Sequence, residues 1–339
     1  MNRLNKSVIS LAMVLGFSSS LRGFVACPDA PVPWHAVACS AVMDPFASVL
    51  PPPTEPPPTA FVDAVAGAGG SGNAISADNP ATGQSFSLPD WFHPYYSSWF
   101  KSAHLTPYGL VISDKGITIG QTLGADFDLY KGRSVAPISH VYLSAGLITY
   151  INGQTQQKPY IDGVNELEPY AGLYVQFFNC LTANVKYKEF YSIYNNFQTI
   201  DQTQFGLAFD DSRWLHPVSI HPFVDLRFAE HDDYALLGVC PTVHLKPANI
   251  PMIVTMPTWT TIGPPDFWGG LSHAGVFSTG ATATFPLTFI PHRFGRWHVD
   301  VGMQYYCDLS HQLIRTSQFI GSGGHRNICV AFTGFGVHF

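Results

Sequence analysis

Between Ile117 and Tyr130 the chain alternates for fourteen residues. Ile117, Ile119, Leu123, Ala125, Phe127 and Leu129 fall on one side, and Thr118, Gly120, Thr122, Gly124, Asp126, Asp128 and Tyr130 on the other. A strand in a globular sheet usually runs ~5–6 residues, whereas a period of two kept this long describes a strand with one side apolar from end to end. Two further segments repeat the pattern. Val141, Leu143, Ala145, Leu147 and Ile151 alternate with Tyr142, Ser144, Gly146 and Tyr150, and Leu167, Ala171, Leu173, Val175 and Phe177 alternate with Glu166, Glu168, Tyr170, Gly172, Tyr174 and Gln176. Strands apolar outside and polar inside suit a closed barrel in lipid, where every backbone polar group must find a partner within the wall. A soluble β-sandwich, the alternative, would use shorter strands with charged outer faces.

Extending this reading predicts an all-β fold, a transmembrane antiparallel up-and-down barrel of about twelve strands over residues 103–339. The strands are expected at 103–112, 116–130, 138–152, 165–178, 181–193, 202–211, 217–229, 234–246, 250–261, 274–289, 296–307 and 327–339. An even number puts both barrel ends on one side of the membrane. If that side is the periplasm, the long connections 153–164, 194–201, 262–273 and 308–326 face outward, and 179–180 and 247–249 form tight turns at the inner rim. Pro107 interrupts the alternation of the first strand.

Composition agrees with strands in lipid. Only 12% of the 339 residues are charged and 14% are aromatic, with 25 Phe and 15 Tyr as material for aromatic girdles. Beyond the N-terminus no run reaches the roughly 18 apolar residues of a spanning helix. A net charge of -6 without a Lys/Arg cluster argues against a nucleic-acid partner. The first residues read as an export signal: Arg3 and Lys6 precede an apolar core at 8–17 and smaller residues at 18–21. Cleavage is expected after Ala26 or as late as Ala38, and the cysteine that follows each site, Cys27 or Cys39, raises the alternative of lipidation. Residues 27–102 read as a Pro/Gly/Ala-rich linker that ends in an aromatic segment. Trp91, Phe92, Tyr95, Tyr96, Trp99 and Phe100 of that segment are expected at the periplasmic rim or in the barrel mouth. The G-x-G-x-x-G at Gly67, Gly69 and Gly72 lies between neither strand nor helix, so no cofactor is inferred from it.

Residues 327–339 alternate to a terminal aromatic, with Phe335, Val337 and Phe339 in step. This ending resembles the last strand of bacterial outer-membrane β-barrels, and residues 280–290 with 297–306 are similar to their closing hairpins. The resemblance covers 103–339 and implies architecture, not substrate. It also implies location in the outer membrane of a Gram-negative-type envelope, contact with its lipid, and recognition of Phe335, Val337 and Phe339 by the barrel-assembly machinery.

Chemistry would then come from the inward face. Glu166 and Glu168 neighbour Lys186 and Lys188 across a two-residue turn, where cross-strand ion pairs are geometrically reasonable. Asp225 and Arg227 share their parity with Lys246, and Asp126, Asp128 and Asp300 add carboxylates. Carboxylates at i and i+2 would serve acid–base chemistry or a cation, although charged pairs also simply fill and hydrate a barrel interior. His221, His244 and His298 have inward parity but lack zinc-site spacing, so no metal is expected. G-x-S-x-G and a phospholipase-type His motif are absent, and no enzyme activity is expected. Two functions remain. One is a porin-like channel for small hydrophilic solutes, with selectivity set by the lumenal charges; the other is a non-conducting structural or surface-interaction barrel, with a barrel-embedded hydrolase in third place. Finally, Cys307 lies ten residues after Trp297, and Cys329 ten before Phe339. If Trp297 and Phe339 are level, the two cysteines meet within the ~4–7 Å a disulfide requires.

Overall fold

A computed structural model describes residues 88–114, 116–132, 136–152, 165–192, 199–215, 217–229, 233–247, 250–264, 273–319 and 325–339. The expected export signal, Cys27, Cys39 and nearly all of the linker lie outside these residues. In chain order the strands are β1 (Phe92–Lys101), β2 (His104–Leu105), β3 (Val111–Ser113), β4 (Thr118–Lys131), β5 (Ile138–Asn152), β6 (Asn165–Phe177), β7 (Leu181–Ser192), β8 (Ile200–Phe209), β9 (Val218–Ser219) and β10 (Pro222–Ala229). They continue with β11 (Tyr234–Val239), β12 (Thr242–Leu245), β13 (Met252–Thr255), β14 (Thr258–Ile262), β15 (Ala274–Pro286), β16 (Arg296–Asp308) and β17 (Asn327–His338). Among the described residues an α-helix, α1 (His311–Phe319), lies between β16 and β17, and a 3-10 turn spans His292–Phe294.

All strands but β2 and β3 join one antiparallel sheet that closes on itself as a twelve-strand barrel. The last strand meets the first, with Tyr96 opposite Val337 and Trp99 opposite Gly334. Three of the twelve wall strands are broken in two: β9/β10 at Ile220-His221, β11/β12 at Cys240-Pro241 and β13/β14 at Met256-Pro257. Proline has no N–H to give the ladder, so Pro241 and Pro257 each interrupt it. The breaks lie side by side and are bridged by Cys240 N–H to Ile220 O (2.8 Å) and Met256 N–H to Pro241 O (2.8 Å).

The first wall strand is 92–101, not 103–112, so the barrel begins within the aromatic segment assigned to the linker. Aromatic rings on both faces of 92–101, and Pro94 within it, hide the alternation. Burial shows it in part: Tyr95, Ser97, Trp99 and Lys101 point inward and are buried, Phe100 is exposed, and Ser98 is the one residue of the outward parity that is buried as well. Residues 103–112 contribute instead to the β2–β3 hairpin, which folds into the lumen. Its turn needs Gly109, whose φ of +99° leaves no room for a Cβ: one would lie 2.6 Å from Asp308 Oδ1.

The wall inverts the usual packing of a globular protein. Leu123 (62% exposed), Leu129 (60%) and Met303 (53%) face out, while Arg227, Lys188 and Asp126 are 2% exposed or less. Val337 departs from this parity: it faces outward yet is buried, covered by the 287–295 connection near Gly295. Phe335 leans on Tyr96 at 6.0 Å. Phe339 is exposed and its N–H donates to Pro94 O.

The disulfide geometry is not realised. Trp297 is level with Val337 instead of Phe339, which places Cys307 opposite Asn327 and Cys329 opposite Tyr305. The register differs by two residues from the one the disulfide needs, and both thiols are free. Both are expected to react fully with maleimide after unfolding under non-reducing conditions. A mass shift of one linked pair, with no reaction at either residue, would overturn this register.

Candidate functional site: the barrel lumen

Four layers of side chains fill the lumen between the rim carrying Phe92 and His338 (the terminal rim) and the opposite, far rim. At the terminal rim Asp128 collects three partners. His140 Nε2 lies at 2.7 Å and His93 Nε2 at 3.0 Å, and Lys131 forms an ion pair with the same carboxylate. They meet because His93 and His140 sit on β1 and β5, the two neighbours of β4. His338 stacks over both His93 and Tyr95.

Above this layer lie tyrosines. Tyr142 stacks on Tyr174 with centroids 4.8 Å apart, and the Tyr95 hydroxyl bonds to those of Tyr170 and Ser144. The rings have room because Gly124 and Gly146, level with each other, face inward beneath them. A Cβ on Gly124 would fall 2.6 Å from the Tyr95 ring. Asp126 is fully buried beside Ser144, its ladder partner.

The third layer holds the ion pairs. Lys188 Nζ donates to Glu168 Oε2 at 2.8 Å, both buried, on the diagonal between β6 and β7. Lys186 lies over the Tyr170 ring at 4.9 Å. Arg227 Nε donates to Asp225 Oδ2 at 2.7 Å within β10. A cavity of about 20 Å³ between Lys186, Gln204, Asp225 and Arg227 has room for a single water. Glu166 is half-buried, nearer the far rim than Glu168.

The fourth layer is apolar. Leu105 and Val111 of the hairpin and Leu313 of α1 pack with the inward Tyr234, Leu236, Trp259, Val276, Tyr306 and Val330. The hairpin and helix are joined by Val111 N–H to Ser317 Oγ at 3.1 Å. Together they form a plug across the far half of the lumen. His104, in this connection and outside the wall strands, stacks on Tyr150 at 4.4 Å, beside Lys101. Burial first, then the Lys101 charge, pushes its pKa down to about 3, against a hydrogen bond donated to Asn152 that raises it. Because the docked form favours neutral imidazole, its contribution is complete above the undocked pKa near 6.5 and is lost as pH falls from there toward 3, by up to about tenfold in docking equilibrium per unit. Hydrogen exchange at Val111 N–H, corrected for intrinsic rates, is expected to lose protection between pH 6.5 and 4 in wild type and to change less in His104→Asn. Equal loss in both would show that another group controls docking.

Several residues grouped by parity are not together. Lys246 is exposed just beyond β12, and His244 is exposed as well. Lys246 lies ten residues beyond Leu236, the ladder partner of Asp225, on the order of 30 Å at the strand rise. Parity assigns a face but not a height. Asp300 is buried near the terminal rim, 3.3 Å from His298 Nε2, and accepts from Thr284 Oγ1. His221 lies apart from His244 and His298 in contact terms: its Nδ1 faces Asp210 and Asp211 at the terminal rim. Lys101, His104 and this Asp pair went unnoticed in sequence because they stand in or beside segments that do not alternate.

No protein-family model and no curated protein matches the chain. Among solved structures it is similar to the β domain of the Bordetella autotransporter BrkA, at 9% identity and TM-score 0.39 over 73% of this chain and 99% of that one. It is also similar to Salmonella typhi OmpF in complex with daunomycin, at 9% identity and TM-score 0.35 over 73% and 97%. A third is the outer-membrane channel DcaP of Acinetobacter baumannii, at 10% identity and TM-score 0.30 over 73% and 96%. Likeness at this level assigns no function, and the barrel stands on its own strand register.

Proposed function

We propose that this chain is an outer-membrane barrel that passes small hydrophilic solutes when its plug withdraws, and that the conformation described here is its closed state. The observation that carries this reading is the origin of the plug: it is built from two connections on one rim and not from the wall. Beneath it the lumen is lined by hydroxyls, amides and charged groups, which suits hydrated solutes. The apolar outer face supports contact with lipid, and export and insertion by the assembly machinery belong to the same reading. No catalytic step is part of it, because Glu168 and Asp225 are held in ion pairs. The apolar seal of the fourth layer favours a second reading, a permanently closed structural barrel, since withdrawal exposes that cluster to water. Planar-bilayer recording of the wild type tests the closed state: the expected trace is a silent baseline with rare openings. A steady ohmic current from the first insertion would overturn it.

A further inference from the structure

The connection after β8 folds back against the break between β9 and β10 at the terminal rim. Asp210 and Asp211 begin it, and both are buried with His221. One donor atom of each residue lies within 4.8 Å of the others. His221 Nδ1 is 3.4 Å from Asp210 Oδ1 and 3.7 Å from Asp211 Oδ1. These separations exceed a good hydrogen bond, but they are near the ~3.3–3.4 Å edge of a tetrahedron of N and O donors about 2.0–2.1 Å from a zinc ion.

Three observations make this more than a group of acidic side chains. Asp210 is 1% exposed, and its Oδ2 is buried without a hydrogen-bond partner. His221 is held from its far side, with Nε2 2.6 Å from Ser219 Oγ. With Nε2 turned to Ser219, Nδ1 lies on the side of the carboxylates, the second-shell arrangement that orients metal-binding histidines. The frame is also fixed: Asp211 accepts the N–H groups of Ile220 and His221, Asp210 N–H donates to Cys180 O, and His221 keeps a left-handed φ of +48°. The charges suit an ion as well. A protonated His221 brings one positive charge to two buried carboxylates, whereas a divalent cation beside neutral imidazole balances both.

We propose that Asp210, Asp211 and His221 Nδ1 bind a divalent transition-metal ion of the zinc class, which clips the 210–217 connection to the strand break at the terminal rim. One nitrogen and two carboxylate donors suit such an ion better than calcium, which takes six to eight oxygens. The site is independent of whether the lumen conducts.

The test uses the full chain, folded in detergent, stripped with EDTA and dialysed against buffered zinc. Metal analysis is expected to find one tightly held zinc per chain that Asp210→Asn weakens by at least about tenfold, with the variant keeping its boiling-dependent gel shift. Undiminished zinc in the folded variant would overturn the site. So would a wild type that holds no zinc while Asp210→Asn gains stability, the result expected of a simple His–carboxylate triad. If the variant does not fold, X-ray absorption of the zinc-loaded wild type decides: one imidazole with oxygen donors near 2.0 Å supports the site, and sulfur scattering near 2.3 Å or the absence of imidazole overturns it.

Discussion

Replacing residues 103–116 and 309–325 with short Gly-Ser turns is expected to convert the silent reconstituted barrel into one with steady, resolved current, an increase of an order of magnitude or more over the wild-type baseline. The wall does not need either segment. Lys101 is the ladder partner of Thr118 and Cys307 of Asn327, so a tight turn spans each gap with the strands in register. The cut removes Leu105, Val111 and Leu313 from the lumen along with the Val111–Ser317 hydrogen bond. What remains is the wall and its polar lining, and a twelve-stranded wall lies between filled small barrels and open large ones. Retention of the boiling-dependent gel shift shows that the wall is still closed. A folded, silent deletion variant would mean that the tyrosine and ion-pair layers themselves block the path, which is the permanently closed reading.

The second large effect concerns Lys188. Lys188→Met takes the ammonium away from the buried Glu168 carboxylate and is expected to cost ~3–5 kcal/mol in urea unfolding from lipid vesicles, whereas adding Glu168→Gln should recover most of that loss. The two side chains are 1% and 5% exposed and 2.8 Å apart, so neither charge has bulk water to fall back on. A single-variant cost below ~1 kcal/mol is what a solvated pair would give, and it would show that water fills this layer in the folded barrel. The measurement therefore reports on lumen hydration independently of current.

Eleven of the twelve wall strands are legible in sequence, because lipid outside and polar groups inside impose opposite demands on successive side chains, and a period of two records that contrast directly. The first strand escapes because it bears aromatics such as Trp99 and Phe100 on both faces: only burial separates them. The same limit applies to the lumen. Parity placed Glu168, Lys188, Asp225 and Arg227 inside, since the side a residue faces is a local property of the strand. Height along the barrel is not local. It follows from how β17 meets β1 and β16, which separated Cys307 from Cys329 by two residues and left Lys246 far from Asp225. Nor does any periodicity report that a connection turns back into the lumen. That Val111 meets Leu313, or His221 meets Asp210, was decided only when the closed wall brought distant segments to one place.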